Sequence, residues 1–375
     1  MTWALLFWAC VAAVFWAYAG YPLLAAVLAS KLGQTPRSAE SCPPLTVVIA
    51  ARDEEARIGA RIADVLAQDY PAGALHVLVV SDGSRDGTAC AAADADPRVS
   101  VLVLADNVGK AAALNAAMAM VATDLVAFTD VRQRYAPGAL RALVAPFADP
   151  RVGAVSGELV IDEPAGSAPR AVGLYWRMEK RLRADEARLR WLHGVTGAVH
   201  ALRRALYRPM PAGTILDDMW LPLHAAFAGH WVWMARDAVA HDIASTDARE
   251  EFARKLRTLA GNWQLLARLP VLLVPGANPL FFAWWSHKFL RLLVPWALLL
   301  ALAASAQAPG PLYRVALVAQ VAGYGLAALG LWLPRLAARV PLLPAGCTFL
   351  MLNAAALLSL PASLAVAPDR LWRRH

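Results

Sequence analysis

Val80-Ser81-Asp82-Gly83-Ser84-Arg85-Asp86-Gly87-Thr88 decides the fold. The apolar run 74–80 leads into it and reads as a buried strand. Two glycines and two aspartates then crowd a tight turn, and an alanine-rich helical pattern begins near Thr88. A carboxylate at the carboxyl end of a parallel strand lies where open α/β sheets bind ligands. Asp82 there can accept hydrogen bonds from a base or a ribose. It repels phosphate, so this is not a Gly-rich, Lys-containing phosphate loop.

Outward from that turn, strand and helix patterns alternate. Residues 45–51, 75–80, 99–104 and 125–128 are short apolar runs that predict strands, and 152–161 predicts another. Residues 56–66 space Ile58, Ile62, Val65 and Leu66 as a helix does, and 110–121 is an alanine-rich helix. Alternation of this kind predicts a parallel, doubly wound sheet. Glu54, Asp82 and Asp130 then fall at the carboxyl ends of successive strands and line one crevice. Lys110 opens the helix after the third strand, where a cation balances a diphosphate.

The chain has 375 residues, is 59% hydrophobic and carries a net charge of +8. A mean hydropathy of +0.45 is too high for an ordinary soluble protein. Residues 3–30 hold no charged side chain and 286–366 hold few, while 31–270 carry most of the charge. One soluble domain held between membrane segments is the expectation. The first segment lacks the basic start and short apolar core of a signal peptide and reads as an uncleaved anchor. Three further spans are predicted near 286–306, 315–333 and 345–366, with Trp284, Trp285, Trp296 and Trp332 near their ends as interfacial aromatics. Lys31 and Arg37 follow the first span, which predicts a cytoplasmic domain, and Arg335 and Arg339 agree. Four crossings put the tail arginines, Arg370, Arg373 and Arg374, on the opposite side from that rule. The positive charge reads as membrane-surface bias, and no aromatic-basic module for nucleic acid is present. Cys10, Cys42, Cys90 and Cys347 show no metal spacing and read as free thiols.

Together these residues resemble the family 2 glycosyltransferases, and within them the membrane-embedded polysaccharide and glycolipid synthases, over nearly the whole chain. The resemblance implies a GT-A-like cytoplasmic domain with a mostly parallel doubly wound sheet, plus about four transmembrane helices. It divides the chain into an anchor (1–30), a glycosyltransferase domain (31–248), interfacial amphipathic helices (249–285) and a C-terminal transmembrane region (286–375). Ala50-Ala51-Arg52-Asp53-Glu54-Glu55 resembles the first nucleotide-contacting loop, usually written with Asn where this chain has Asp53, and makes Ala51 and Glu54 nucleotide-binding candidates. Asp82 is then the contact to uracil or ribose, and Asn107-Val108-Gly109-Lys110 matches the next element. Thr129-Asp130 matches the start of a metal-binding Asp-X-Asp, but Arg132 stands where the second aspartate belongs. The resemblance implies Mg or Mn at Asp130, with Arg132 and Arg134 as alternative partners of the phosphates. Gly194-Val195-Thr196-Gly197 resembles the acceptor-side glycine turn, so Gly197 is an acceptor candidate. Leu216-Asp217-Asp218-Met219-Trp220-Leu221 resembles the Glu-Asp-X-X-Leu element, with Asp218 in the place of the general base and Asp217 replacing Glu. Arg254-Lys255-Leu256-Arg257 resembles the start of the Gln/Arg-X-X-Arg-Trp motif of processive synthases and offers Arg254 and Arg257 to the diphosphate; Thr258 replaces its Trp. Ser286-His287-Lys288 also looks like membrane members of the family.

Glycosyl transfer needs a base for the acceptor hydroxyl and positive charge for the leaving diphosphate. Asp218 offers the first; a metal at Asp130 with Lys110, Arg254 and Arg257 offers the second. A base with no nucleophilic carboxylate partner points to inversion. The expected partners are a nucleotide-sugar donor, most simply a UDP-sugar, a glycan or lipid acceptor and the inner-membrane bilayer, with no nucleic acid. Asp130 is alternatively a helix N-cap before Tyr135, and Asp217-Asp218 an N-cap pair. Two other functions stay open: a non-processive lipid glycosyltransferase adding one sugar, and a transporter with a nucleotide-binding domain.

Overall fold

The computed structural model describes residues 2–162, 172–243, 248–333, 337 and 339–365. Arg335, Arg370, Arg373 and Arg374 lie outside the described residues. Among the described residues, eight strands form one sheet: β1 (Leu45–Ala51), β2 (Leu75–Asp82), β3 (Val99–Leu104), β4 (Leu125–Thr129), β5 (Arg134–Tyr135), β6 (Val152–Asp162), β7 (His200–Arg203) and β8 (Trp231–Ile243). Their order is β3-β2-β1-β4-β7-β6-β8-β5.

β1 reads as a continuous apolar run because both its faces are covered. Val47 and Ile49 pack with Ile58, Ile62 and Val65 of the helix Glu55–Leu66. Val48 faces the other way, onto Ala113, Leu114 and Ala117 of the helix Lys110–Met118. Leu45, Val47, Val48 and Ile49 are fully buried, and each contributes about 1.5–3 kcal/mol. β1 pairs in parallel with β2 on one side and β4 on the other, and β2 with β3. The order therefore reverses at β1, so a crevice opens at the carboxyl ends of β1 and β4.

Beyond β4 the sheet becomes mixed. β7 runs antiparallel to β4 and β6, β8 is parallel to β6, and β5 is antiparallel to β8. Parallel pairing stays the majority, four of seven. The sequence pattern does not predict β8, because shifts in the β6–β8 register break the period-2 alternation on which a strand assignment rests. Residues 134–135 form β5 instead of a helix, so Asp130 is not the N-cap of a helix at Tyr135.

Among the described residues, four helices are long and apolar enough to cross a membrane: Thr2–Leu32, Phe281–Gln307, Pro311–Trp332 and Leu343–Ala365. The second starts at Phe281, so a boundary at 285 falls inside it. The first and second each contain a π-turn, Trp16–Gly20 and Trp285–Phe289. The two turns meet: Trp16 Nε1 donates to Ser286 Oγ (3.1 Å), and Arg291 Nε to the Ala17 carbonyl (3.4 Å). Phe7 and Cys10 pack on Ala301 and Ala304 further along the same pair. The amphipathic helix Ala248–Arg268 leans on the fourth, with Trp263 Nε1 donating to Ser359 Oγ at 2.9 Å.

Candidate active site

The loops after β1, β2 and β3 are tied to one another by the residues the sequence singles out. Asp53 has a left-handed φ of 51°, which Asn and Asp tolerate best, and its Oδ1 accepts from Arg85 N (2.8 Å). Glu54 N donates to Thr88 Oγ1 (2.8 Å), Glu55 N to Asp86 Oδ2 (3.1 Å) and Gly87 N to Glu55 Oε2 (2.9 Å). Asp82 ends β2, and its two oxygens accept from Val108 N (2.8 Å) and Gly109 N (3.0 Å). Asp82 therefore orders the next loop, a role its strand-end position alone does not reveal; the second lone pair of each oxygen remains for a ligand. Gly83 permits this close approach: at φ 58°, an added Cβ would sit 2.3 Å from Asn107 N. Ala51 closes β1 and is buried, as is Glu54, whose carboxylate pairs with Arg57 at 3.2 Å. Asp53, Glu54, Glu55, Arg57 and Asp86 line an open hollow beside these loops.

Lys110 links this region to the acids. Its Nζ lies 2.9 Å from Asp130 Oδ1 and 3.0 Å from Asp217 Oδ2. The Asp217 contact is an ion pair without hydrogen-bond alignment, since that oxygen has no hydrogen-bond partner. Burial lowers the proton affinity of Lys110, but Asp130 and Asp217 outweigh it and the net direction is up. Burial also raises that of Asp130, yet Lys110, Arg132 and His200 hold it below its usual value.

Arg61 fixes the end of β4. It is buried, pairs with Asp64, donates to Thr129 Oγ1 (2.7 Å) and lies 4.0 Å over the Tyr135 ring. Thr129 Oγ1 donates in turn to the Ala198 carbonyl at 2.7 Å, which brings the 194–198 turn against Asp130. A Cβ added to Gly197 would lie 3.7 Å from Asp130 Oδ2 and 3.9 Å from Lys110 Nζ, so the bare glycine leaves room over the acid.

Asp217 and Asp218 open the helix Asp217–Phe227, and no side chain caps it. Asp217 is buried and faces Lys110. Asp218 is half-buried, and its carbonyl accepts from Val195 N at 2.8 Å. Burial, then the Asp217 carboxylate, push Asp218 up to about 7, against Lys110, Arg183 and Lys288. A carboxyl so placed takes a proton near neutrality. Arg257 reaches the same place. Burial lowers its proton affinity, and the charges of Asp130 and Asp218 act back on it. Arg254 pairs with Glu251 and stands near Arg132.

His200 is a site residue that spacing misses. Its Nδ1 lies 2.9 Å from the Thr196 carbonyl and so donates, leaving Nε2 as the lone-pair nitrogen; that atom is buried and has no partner. Burial pushes the ring down to about 4, against the pull of Asp217, so it is neutral at pH 7. The signal that finds it is register: His200 pairs with Phe128, two residues before Asp130, and stacks on its ring at 5.1 Å.

The family described as "Glycosyl transferase family 2" matches residues 46–210. An N-acetylglucosaminyltransferase of Rhizobium meliloti (strain 1021) is 32% identical over 183 residues, 47% of this chain and 42% of that protein. One of Bradyrhizobium elkanii is 37% identical over 123 residues, 32% of this chain and 67% of that protein. The chain thus spans less than half the length of the first of these relatives. A solved structure described as "Mannosyltransferase PcManGT from Pyrobaculum calidifontis in complex with GDP-Man and Mn2+" has a similar fold, with TM-score 0.75 and 24% identity over 97% of this chain and 99% of that one. With the strand-end loops and the family match in agreement, the chain belongs to glycosyl transferase family 2.

Proposed function

We propose that the protein is an inverting glycosyltransferase of the cell membrane that moves a sugar from a nucleotide-sugar, most simply a UDP-sugar, to a polysaccharide or lipid-linked acceptor. The observation that carries this is the pairing of a half-buried, proton-hungry Asp218 with the Lys110–Asp130–Asp217 charge cluster beside it. The donor base and ribose lie over Ala51, Glu54 and Asp82 in this reading. Lys110, Arg254 and Arg257 face the diphosphate. Asp218 takes the proton of the acceptor hydroxyl as its oxygen attacks the anomeric carbon and the nucleoside diphosphate leaves from the opposite face. Gly197, lacking a side chain, leaves the acceptor room above Asp130. Lys31 and Arg37 support a cytoplasmic position for the domain, with the four long helices in the bilayer.

The residues present fit a divalent cation. Asp130 and Asp217 already hold a positive charge between them, and the buried lone pair of His200 Nε2 has no partner. The carboxylate oxygens suit Mg or Mn. Asp130, with Asp217 and His200 near it, would hold the ion, which would supply positive charge to the leaving diphosphate. The Mn2+ of the Pyrobaculum enzyme's structure supports this reading.

A single-transfer lipid glycosyltransferase is the second reading. Thr258, where processive synthases resemble one another in a Trp, is exposed and hydrogen-bonds back to the Arg254 carbonyl at 3.0 Å, so no ring grips a growing chain there. Incubating the membrane protein with a panel of sugar nucleotides and measuring nucleotide release tests the proposal, and product length separates the two readings. Nucleotide binding without release or transfer would instead leave a transporter with a nucleotide-binding domain.

A further inference from the structure

The helix Val172–Arg188 presents Trp176, Glu179, Arg183 and Glu186 on one face, at three- and four-residue spacing. That face meets the start of the second membrane span. Glu179 is already committed there: His287 Nε2 lies 2.9 Å from its Oε1 and Arg291 Nη1 2.8 Å from its Oε2. Glu186 Oε1 takes Tyr21 OH (2.7 Å) and His287 Nδ1 (2.8 Å). Lys288 reaches Glu179 only at 3.8 Å, beyond a hydrogen bond. Lys255, 5.9 Å over the Trp176 ring, reaches Glu251 at 3.5 Å, and Glu251 is already paired with Arg254. Arg183 donates only to neutral oxygens, Ser156 Oγ and the Gly194 carbonyl, both at 3.2 Å, and among the described residues no carboxylate pairs with it.

Three cations therefore share too little negative charge. The Lys255 and Lys288 side chains are only 31% and 29% exposed, so water compensates them poorly. Burial lowers the proton affinity of Lys255, as expected of an under-neutralised ammonium. Two of them, Arg183 and Lys288, are also close to the base. Gly194, which Arg183 holds, precedes Val195, whose N–H donates to the Asp218 carbonyl at 2.8 Å. The charges of Arg183 and Lys288 are both felt at Asp218. Lys288 sits in the π-turn at the start of the second span, so the row runs from the membrane end to the base, while Lys110, Asp130 and Asp217 form the cluster over Gly197.

We infer that Arg183, Lys255 and Lys288 bind a phosphate group carried by the acceptor on the membrane side of Asp218, so that an acceptor hydroxyl faces that carboxylate, which rests on Asp218 being the base. Guanidinium and ammonium donors match phosphate oxygens. A lipid-borne phosphate, a phospholipid headgroup and a free phosphate share this chemistry, and so does the donor's diphosphate.

The full chain in a phosphate-free detergent, titrated with farnesyl phosphate, farnesol, inorganic phosphate, a short-chain phosphatidylcholine and UDP or GDP, separates these sources. Farnesyl phosphate is expected to bind at least tenfold more tightly than each of farnesol, inorganic phosphate and phosphatidylcholine. Lys255→Gln/Lys288→Gln is expected to weaken it tenfold or more while leaving nucleoside diphosphate affinity unchanged. These two partly exposed positions tolerate substitution better than Arg183→Gln, and a thermal melt checks the fold. Unaltered farnesyl phosphate binding in the double variant overturns the inference. So does a parallel fall in nucleoside diphosphate affinity, which would give these cations to the donor. Equal binding of phosphatidylcholine or inorganic phosphate overturns it in favour of a headgroup or a free anion. If the wild type binds farnesyl phosphate but no nucleoside diphosphate and releases none from any sugar nucleotide, the transferase reading fails instead of the phosphate site.

Discussion

Asp218→Asn separates a base from a structural acid. The substitution keeps the size of the side chain and removes no side-chain cap, since none closes the start of this helix, where Asp217 remains as a first-turn acid. Loss of basicity should cut transfer at least about a hundredfold, the lower end for general-base catalysis, with donor binding retained. Stability should move the other way. Held at about 7 instead of 3.8, this carboxyl contributes fully to folding below its unfolded value and loses that contribution as pH rises through 7. Each tenfold in proton affinity is worth about 1.4 kcal/mol, and solvent reaching the half-buried side chain reduces the sum to on the order of 1–2 kcal/mol. At pH 8 the Asn variant should therefore melt at a higher temperature than the wild type while transferring almost nothing. The wild type's turnover should climb between pH 6 and 8, and the residual rate of the variant should lack that limb. Paired measurements of nucleotide release and thermal unfolding across this range check both halves. Near-wild-type turnover in Asp218→Asn would refute the assignment and move attention to Asp217; a lowered melting temperature would refute the account of its burial.

Three other outcomes follow from the same geometry. Asp82→Ala leaves the Val108 N–H without its acceptor and the Gly109 N–H with Asn107 Oδ1 alone, so it should lose roughly 1–2 kcal/mol of stability and weaken nucleoside diphosphate binding in calorimetry; a stable variant with unchanged affinity would reduce Asp82 to a turn residue. Chelator should abolish transfer, Mg or Mn should restore it, and Asp130→Ala should resist rescue; full activity in chelator would leave Lys110 and the arginines as the charge stabilisers. Cys90, free and exposed, should resist a membrane-impermeant maleimide in intact cells and react after lysis, and labelling in intact cells would overturn the cytoplasmic placement.

Legibility in the sequence tracks the range over which each interaction acts. β1 is predicted to the residue because a strand buried on both faces is a local apolar run with abrupt ends, and β3, a half-exposed edge strand, because its valines and leucines stop at Asp106. Asp82, Lys110 and Asp130 are legible as strand-end residues, since in a parallel sheet every carboxyl end opens on the same side. The use of Asp82 is not legible, because its acceptors' partners lie on a loop some twenty-five residues away and a carboxylate looks the same whether it orders a backbone or a ribose. β8 is hidden by its register shifts, and β5 by being two residues long.

His200 and Arg61 mark where local reading ends. Neither has a neighbour in sequence that hints at chemistry. His200 enters the site only because β7 turns antiparallel to β4, and Arg61 only because the helix Glu55–Leu66 packs against the end of β4. Their work is complementary. Arg61 fixes Thr129, Thr129 holds the Ala198 carbonyl, and the turn so anchored carries both Gly197 and the Thr196 carbonyl that orients His200. The same turn, through Val195, is bonded to the Asp218 carbonyl. One short segment thus sets the spacing between the acid that collects positive charge and the acid that collects a proton. The absence of a second aspartate at Arg132 is then less consequential than its place in the motif suggests, because Asp217 shares the cation of Asp130 from across the sheet.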